Sequence, residues 1–353
     1  MNEFELKSAA YYYYNLLNKN EQTIYRSLLQ ALLCADSTAN LPFPTEQQVV
    51  KKIIQFILND RPDIFWSKYR YEYHTRNNLV VSVLFKYRMQ ESEIDILKTK
   101  IINSYFFREL DYLITSKTTD FEKALITYEY IIKHADYDLL ALSDFADSYD
   151  YAYNIDGVIT KSKAVCAGYA KTFQYFMNRH NIYCTLVAGE TSRGRHAWNL
   201  INLDGNYYYI DTTWGDPVFA NNTQKQPDYI SYDFFCITTE DLKKSHNVIL
   251  DYSMPLCSAT KYNYFNYFNM TSDYFSVNNV VSHVLSAYKK GSKEVTIKYT
   301  SRVAYLTAKR ELFDNNEIFN VLAIAKQTAV NINSSRVSYS LHDDENIIKF
   351  KIR

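Results

Sequence analysis

The sequence lacks an excess of charge of either sign and lacks any apolar run that could cross a membrane. Lysine plus arginine and aspartate plus glutamate number 39 each among 353 residues. A chain so balanced does not present the basic surface that phosphate binding requires, so no nucleic-acid partner is expected. No stretch of about 18 apolar residues occurs, and the most apolar short run, 79–85, has the length of a strand. We therefore predict no membrane span.

The sequence also shows neither paired cysteines nor the pattern of a secretory leader in its first residues. The five cysteines are an odd number and include no Cys-x-x-Cys pair, so neither a disulfide framework nor a structural zinc site is expected. The first residues do not place a basic segment before an apolar one, and no signal peptide is predicted. Free thiols suit a reducing compartment. We expect a cytoplasmic protein, or a secreted or cell-surface one if a leader has been removed. The oligomeric state stays open.

The length predicts two or three domains. We predict an N-terminal helical or α+β module over 1–115, a core over 116–255 and a small α/β module over 256–353. Apolar periodicity and turn residues predict five helical stretches: over 6–33, after Thr45, over 91–105, from a cap at Asp120 to about His134, and over 302–326. They also predict strands over 66–74, 79–87, 183–188 and 294–299, and a strand pair around 343–344.

Cys166 opens a run with helical spacing. Ala170 and Phe173 share its stripe, while Lys171 and Gln174 lie on the opposite one. A thiol in the first turn of a helix faces the positive end of the macrodipole, which favours the nucleophilic thiolate. The backbone N–H of that turn is also free to face a developing oxyanion. A buried structural cysteine is the alternative that this helix alone leaves open.

An Asp-Gly pair predicts a β-hairpin further along the chain. Asp204-Gly205 stands between two alternating, β-prone runs, which is the strongest short-range signal for a two-residue loop. Leu203 then pairs with Asn206. In the same register Asp211 lies opposite Trp198.

This register places His196 and Asp211 on one face of the sheet. His196 and Trp198 share a face because side chains alternate along a strand. His196 and Asp211 are then diagonal neighbours, with β-carbons about 7–8 Å apart. The carboxylate can accept a hydrogen bond from one imidazole nitrogen and leave the other for Cys166, as in a nucleophile–base–orienter triad. A three-residue loop would turn Asp211 to the far face.

Three blocks carry a resemblance to a known family. They are KAVCAGYAKTFQYFMNRHNIYCTLVAG, HAWNLINLDGNYYYIDTTWGDP and YISYDFFCITTEDLKKSH. Together they resemble the transglutaminase-like superfamily, in particular its bacterial branch. The resemblance implies an α+β fold with a papain-like transglutaminase core, in which the helix bearing Cys166 packs on an antiparallel sheet bearing His196 and Asp211. It also implies that Cys166 is the nucleophile, His196 the general base and acid, and Asp211 the orienter of His196.

The resemblance implies roles for three further residues. Tyr153 is similar in place to a residue near the oxyanion site. Trp198 and Trp214 correspond to walls of the substrate cleft, with plain packing as the alternative for each. No carboxylate-rich loop of the EF-hand type occurs, so no metal and no other cofactor is expected.

Three functions compete. The first is thiol-dependent acyl transfer on peptide or isopeptide amide bonds. With water as the acceptor, which is favoured, the protein is a cysteine peptidase or amidase. The alternative is a crosslinking or deamidating transglutaminase. The second is a non-catalytic module that binds peptides or cell-wall fragments in the same cleft, which the retained triad disfavours. The third is acyl transfer of the arylamine N-acetyltransferase kind, which shares the Cys-His-Asp order but not the flanking motifs.

Overall fold

The computed structural model describes residues 11–143, 147–216, 230–249, 254–329, 336–343 and 345–352. The chain divides into two units, Met1–Ala259 and Thr260–Arg353. The three-part division predicted from the sequence stays a prediction. Among the described helices, none combines the length and the apolar character that a membrane crossing requires.

The first part of unit 1 pairs helices with a small antiparallel sheet of order β1-β3-β2. Its elements are α1 (Tyr12–Asn15), α2 (Lys19–Leu33), β1 (Thr38–Thr45), α3 (Gln47–Asp60), β2 (Ser67–Arg76), β3 (Leu79–Tyr87), α4 (Glu91–Ile102) and α5 (Tyr105–Leu113). The predicted strands over 66–74 and 79–87 are confirmed. Strand β1 was missed because its sequence, TANLPFPT, contains two prolines. Prolines in sheets are confined to edge strands, strand starts and bulges. Strand β1 is an edge strand, and its register shifts between Asn40 and Thr45.

The second part of unit 1 contains a five-stranded antiparallel sheet of order β10-β6-β7-β8-β9. Its helices are α6 (Asp120–His134), α7 (Leu140–Ser143), α8 (Ile155–Lys161), α9 (Cys166–Arg179) and α10 (Thr239–Leu242), with a 3₁₀ segment over Asp147–Tyr153. The strands of this second part of unit 1 are β4 (Asp136–Tyr137), β5 (Lys163–Ala164), β6 (Cys184–Thr191), β7 (Gly194–Leu203), β8 (Asn206–Ile210), β9 (Phe235–Ile237) and β10 (His246–Val248).

The N-cap of helix α6 lies one residue before the position that the sequence pattern gave it. The prediction of Asp120 as the cap was wrong, because Thr119 is the N-cap and Asp120 is the first helical residue. The Thr119 hydroxyl accepts from the backbone N–H of Glu122 at 3.3 Å, and the Glu122 carboxylate accepts from the backbone N–H of Thr119 at 2.8 Å. This reciprocal capping box satisfies two N–H groups that the helix leaves unpaired.

The hairpin between β7 and β8 has the predicted register. Leu203 pairs with Asn206 and Asn199 with Ile210. Both loop residues have positive φ, 51° at Asp204 and 78° at Gly205, as a type I′ turn requires. The two-residue loop is therefore confirmed, and the three-residue alternative is excluded.

Helix α9 lies in the interior, with both of its stripes covered. Phe173 is fully buried on one side, as its spacing predicts, but Lys171 and Gln174 on the other side are also buried. Lys171 Nζ donates to Asn154 Oδ1 at 3.0 Å, and Gln174 Nε2 donates to the carbonyl of Asn59 at 2.8 Å. The polar stripe thus faces polar partners in neighbouring elements, because buried polar groups need hydrogen bonds.

Unit 2 packs helices against a sheet of order β11-β12-β14-β13. Its elements are α11 (Tyr264–Tyr267), β11 (Thr271–Ser272), α12 (Val277–Lys289), β12 (Glu294–Tyr299), α13 (Arg302–Lys309), a π-helical turn (Arg310–Asp314), α14 (Glu317–Thr328), β13 (Val337–His342) and β14 (Ile347–Ile352). The predicted strand over 294–299, the helical stretch over 302–326 and the final strand pair are confirmed, and α12 was missed.

Candidate active site

Cys166 is the first residue of α9, as predicted, and its side chain is partly exposed. The preceding Val165 is extended and no side chain caps the helix, so the first-turn N–H groups are not blocked by a capping group. Gly168 allows the neighbouring chain to approach this turn. A β-carbon there would overlap the carbonyl oxygen of Ala152 and lie 2.7 Å from the β-carbon of Ala164. A partly exposed thiol at an uncapped helix N-terminus is the setting that favours a reactive cysteine.

The hydroxyl group of Tyr137 lies near the start of this helix, close enough to Cys166 for the two groups to interact. Burial, and then the neighbouring thiol, raise the pKa of Tyr137 above its ordinary value. The phenol of Tyr137 therefore lies beside the candidate nucleophile.

Sequence reasoning quoted Tyr137 only as part of the segment that precedes the core. Strand β4 pairs in parallel with β5, and this pairing sets Tyr137 beside Ala164, close to the nucleophile's helix. A parallel pairing of two-residue strands leaves no local pattern, so no signal in the sequence could have found this contact.

His196 and Asp211 are in direct contact. The Nε2 atom of His196 lies 2.7 Å from Oδ2 of Asp211, and both side chains are largely buried. The Cys166 thiol lies beside the imidazole of His196 and helps to raise its pKa. Because an ionised carboxylate only accepts, Nε2 carries the hydrogen and Nδ1 is the nitrogen left for the thiol. The structure thus brings the three predicted side chains together.

Asp211 is held by four donors. Its Oδ1 accepts from the backbone N–H groups of Thr213 at 2.9 Å and Trp214 at 3.1 Å. Its Oδ2 accepts from His196 at 2.7 Å and from Nε2 of His246 at 3.0 Å. Burial alone would raise the pKa of Asp211, but the charges and hydrogen bonds of the two histidines hold it well below its ordinary value. Asp211 is therefore an ionised, fixed acceptor at neutral pH.

The same pair determines the protonation of His196. Burial alone would lower the pKa of His196, but the charge of Asp211, the hydrogen bond to Asp211 and the neighbouring Cys166 thiol outweigh it. The net effect raises the pKa to about 10. An imidazolium next to the thiol favours the thiolate, so the arrangement can supply a nucleophile and a proton donor together.

The segment that contains Cys166, His196 and Asp211 is similar to a known protein family. Residues 109–212 match the model of the transglutaminase-like superfamily. The chain contains a transglutaminase-like core. The match includes Cys166, His196 and Asp211, and the fold prediction is confirmed: a mixed α+β core in which the helix of the cysteine packs on the antiparallel sheet of the histidine.

The relatives of this transglutaminase-like core are distant. Kyphoscoliosis peptidase of Homo sapiens is 24% identical over 162 residues, which cover 42% of this chain and 24% of that protein. The Mus musculus protein of the same name is 24% identical over 138 residues, covering 36% and 20%. The chain thus spans about a quarter or less of these relatives' length. Their activity is a property of much longer proteins.

Two solved structures are also similar to this chain. The crystal structure of a TGase has 14% identity and a TM-score of 0.31, covering 60% of this chain and 52% of that one. A protein from Cytophaga hutchinsonii described as a candidate cysteine protease has 13% identity and a TM-score of 0.24, covering 41% and 61%.

The three other predicted site residues of the transglutaminase-like core have different surroundings. Tyr153 donates its hydroxyl to the carbonyl of Ala141 at 3.1 Å, and burial, then the nearby Cys166 thiol, raise its pKa. Its role near the oxyanion site stays a prediction. Trp198 is fully buried beneath His196, with a ring-centroid distance of 5.9 Å, which favours the packing alternative over a cleft wall. Trp214 is partly exposed and lies 6.0 Å from the His196 ring. Its role as a cleft wall stays a prediction.

Among the described residues, two groups have donor atoms close enough to hold a metal, and one of them lies in the core: His196, Asp211 and His246. Both Nε2 atoms in this group already share the Oδ2 atom of Asp211 in hydrogen bonds. A metal would have to break both bonds. We therefore describe the group as a hydrogen-bonded network.

Proposed function

We propose that this protein is a cysteine-dependent acyl-transfer enzyme that acts on peptide or isopeptide amide bonds, with water as the favoured acceptor. The observation that carries the proposal is the arrangement of Cys166, His196 and Asp211, referred to below as the triad: His196 lies beside the thiol at the N-terminus of α9 and 2.7 Å from the Asp211 carboxylate. Each member has the position that its role requires. The thiol is partly exposed, the histidine bridges it to the carboxylate, and the carboxylate is fixed by four donors.

The proposed reaction has two halves. The Cys166 thiolate attacks the carbonyl carbon of the amide, while His196 holds the proton that the thiol has lost. The oxyanion then accepts from the Cys166 N–H at the N-terminus of α9. His196 gives its proton to the departing amine, and a thioester remains. Water attacks the thioester with His196 as base, which releases the acid and restores the thiol.

Alkylation of the thiols with iodoacetamide tests the nucleophile, and the chain offers its own comparison. Cys34 is exposed, while Cys184, Cys236 and Cys257 are buried. We expect Cys166 to react at pH 6 about 10-fold or more faster than Cys34, because a thiolate is the reactive form and His196 stabilises it. Peptide mapping by mass spectrometry, run across a pH series, measures both sites in one sample.

The control for alkylation is the His196→Ala variant, in which Cys166 should fall to the rate of Cys34. A native Cys166 that reacts no faster than Cys34 at any pH would contradict the proposal and favour a non-catalytic binding module.

A peptide library tests the acceptor. We expect incubation to produce new amino and carboxyl termini, each pair adding the mass of one water, and to do so even when a primary amine is present. Mass spectrometry with and without the amine measures this, and the Cys166→Ala variant is the control. Incorporation of the amine at glutamine, or conversion of glutamine to glutamate without cleavage, would favour the crosslinking or deamidating alternative instead.

A further inference from the structure

His246 is a second histidine at the triad, and it comes from a separate strand. It opens β10, which pairs antiparallel with β6 so that His246 lies opposite Thr191. Its side chain is fully buried. The residue lies beyond 109–212, the segment that matches the family model. The triad therefore receives a buried, hydrogen-bonding side chain from outside the matched core.

Both ring nitrogens of His246 have partners. Nε2 lies 3.0 Å from Oδ2 of Asp211, and Nδ1 lies 2.8 Å from the hydroxyl oxygen of Ser245. Because the ionised carboxylate can only accept, Nε2 carries a hydrogen, and Nδ1 and the Ser245 hydroxyl form the second hydrogen bond. These two contacts fix the orientation of the imidazole.

Aromatic rings hold His246 in place. The centroid of its ring lies 4.5 Å from that of Trp214, 4.9 Å from that of Trp198 and 5.4 Å from that of Phe234. Two titratable side chains lie beside it: Asp211, through the hydrogen bond to Oδ2, and His196, at 5.6 Å between ring centroids. A donor so confined cannot follow a carboxylate that turns away from it.

The geometry at Asp211 shows what this donor does. His196 and His246 share one oxygen, Oδ2, while backbone N–H groups hold the other. Without His246, the backbone would still hold Oδ1, but Oδ2 would be fixed by His196 alone, the group that must itself be oriented. An orienting residue needs an anchor independent of the group that it orients.

We propose that His246 is a positioning residue of the triad: its Nε2–H anchors Oδ2 of Asp211 so that the same oxygen holds His196 toward Cys166. The inference rests on the proposed function. It assigns a role to a residue that touches neither the substrate nor the thiol and that acts through Asp211.

The test uses the full chain and iodoacetamide, which needs no identified substrate. His246→Phe keeps an aromatic ring among Trp214, Trp198 and Phe234 and removes the hydrogen-bond donor. We expect its Cys166 alkylation rate at pH 6 to fall by about 10-fold, since a small misplacement of a catalytic group has effects of this order or larger. The pH of half-maximal rate should move upward, while Cys34 in the same sample stays unchanged. His246→Gln, whose Nε2 can donate at the same place, should recover most of the rate.

The outcomes separate this inference from the proposed function. A native chain without fast alkylation of Cys166 contradicts both. If the native chain reacts fast and the His246→Phe variant keeps its rate and pH profile, only the inference is wrong. A purely structural role would lower the melting temperature of both variants and slow both equally, without rescue by glutamine, and that result would also overturn the inference.

Discussion

A His196→Ala variant will convert the peptide identified by the library assay about 10²–10⁴-fold more slowly than the native chain. His196 lies beside the Cys166 thiol and is hydrogen-bonded to Asp211, so it is the imidazole placed to take the thiol proton. With alanine the thiol loses the imidazolium that stabilises its ionised form, and the departing amine loses its proton donor. Steady-state hydrolysis at pH 7, followed by chromatography of the products, measures the loss.

Two control variants show whether the loss is specific to His196. His74 is an exposed histidine on β2, and His74→Ala should leave the rate unchanged. The double variant Cys166→Ala, His196→Ala should be no slower than Cys166→Ala alone, because residues that act as a unit do not have additive effects. Equal rates in folded His196→Ala and His74→Ala proteins would rule out the role of His196 as base.

The part of the site that could be predicted depends on short-range structure. Asp204 and Gly205 determine the turn, the turn determines the register, and the register determines that His196 and Asp211 share a face. Each step spans only a few residues along the chain, so the sequence contains all the information. The start of α9 at Cys166 follows in the same way, from helical spacing alone.

The part that could not be predicted depends on pairings between distant, short strands. Tyr137 reaches Cys166 through the two-residue pairing of β4 with β5, and His246 reaches Asp211 through the three-residue strand β10 on the edge of the sheet. Strands this short carry no measurable alternation, and their partners are chosen by tertiary packing. The quoted block that ends at His246 resembles the family, but nothing in its spacing indicates contact with Asp211.

The second large effect concerns the stability of unit 1. Asp156, in the first turn of α8, forms a bidentate ion pair with Arg88, at 3.0 Å and 2.8 Å, and the side chains are 3% and 11% exposed. Arg88 also donates to the carbonyl of Phe65 at 3.0 Å. The pair joins the segment after β3 to the helix that precedes Cys166 along the chain.

Asp156→Asn will lower the free energy of unfolding by about 3–5 kcal/mol, because it leaves the Arg88 charge buried without a counter-ion. Urea denaturation at pH 7 measures the change. All three tryptophans, Trp66, Trp198 and Trp214, lie within residues 1–259, so tryptophan fluorescence reports the unfolding of unit 1 alone.

The matched control for Asp156→Asn is Asp111→Asn. Asp111 and Arg179 also form an ion pair at 2.8 Å, but their side chains are 31% and 45% exposed. Its loss should cost less than about 1 kcal/mol, since water replaces an exposed partner. Equal costs for the two variants would mean that burial does not set the strength of the Arg88 pair. A larger cost for Asp156→Asn than for Asp111→Asn would mean that Arg88, which lies before residue 115, stabilises the helix that precedes Cys166. The predicted N-terminal module would then be a structural support of the site.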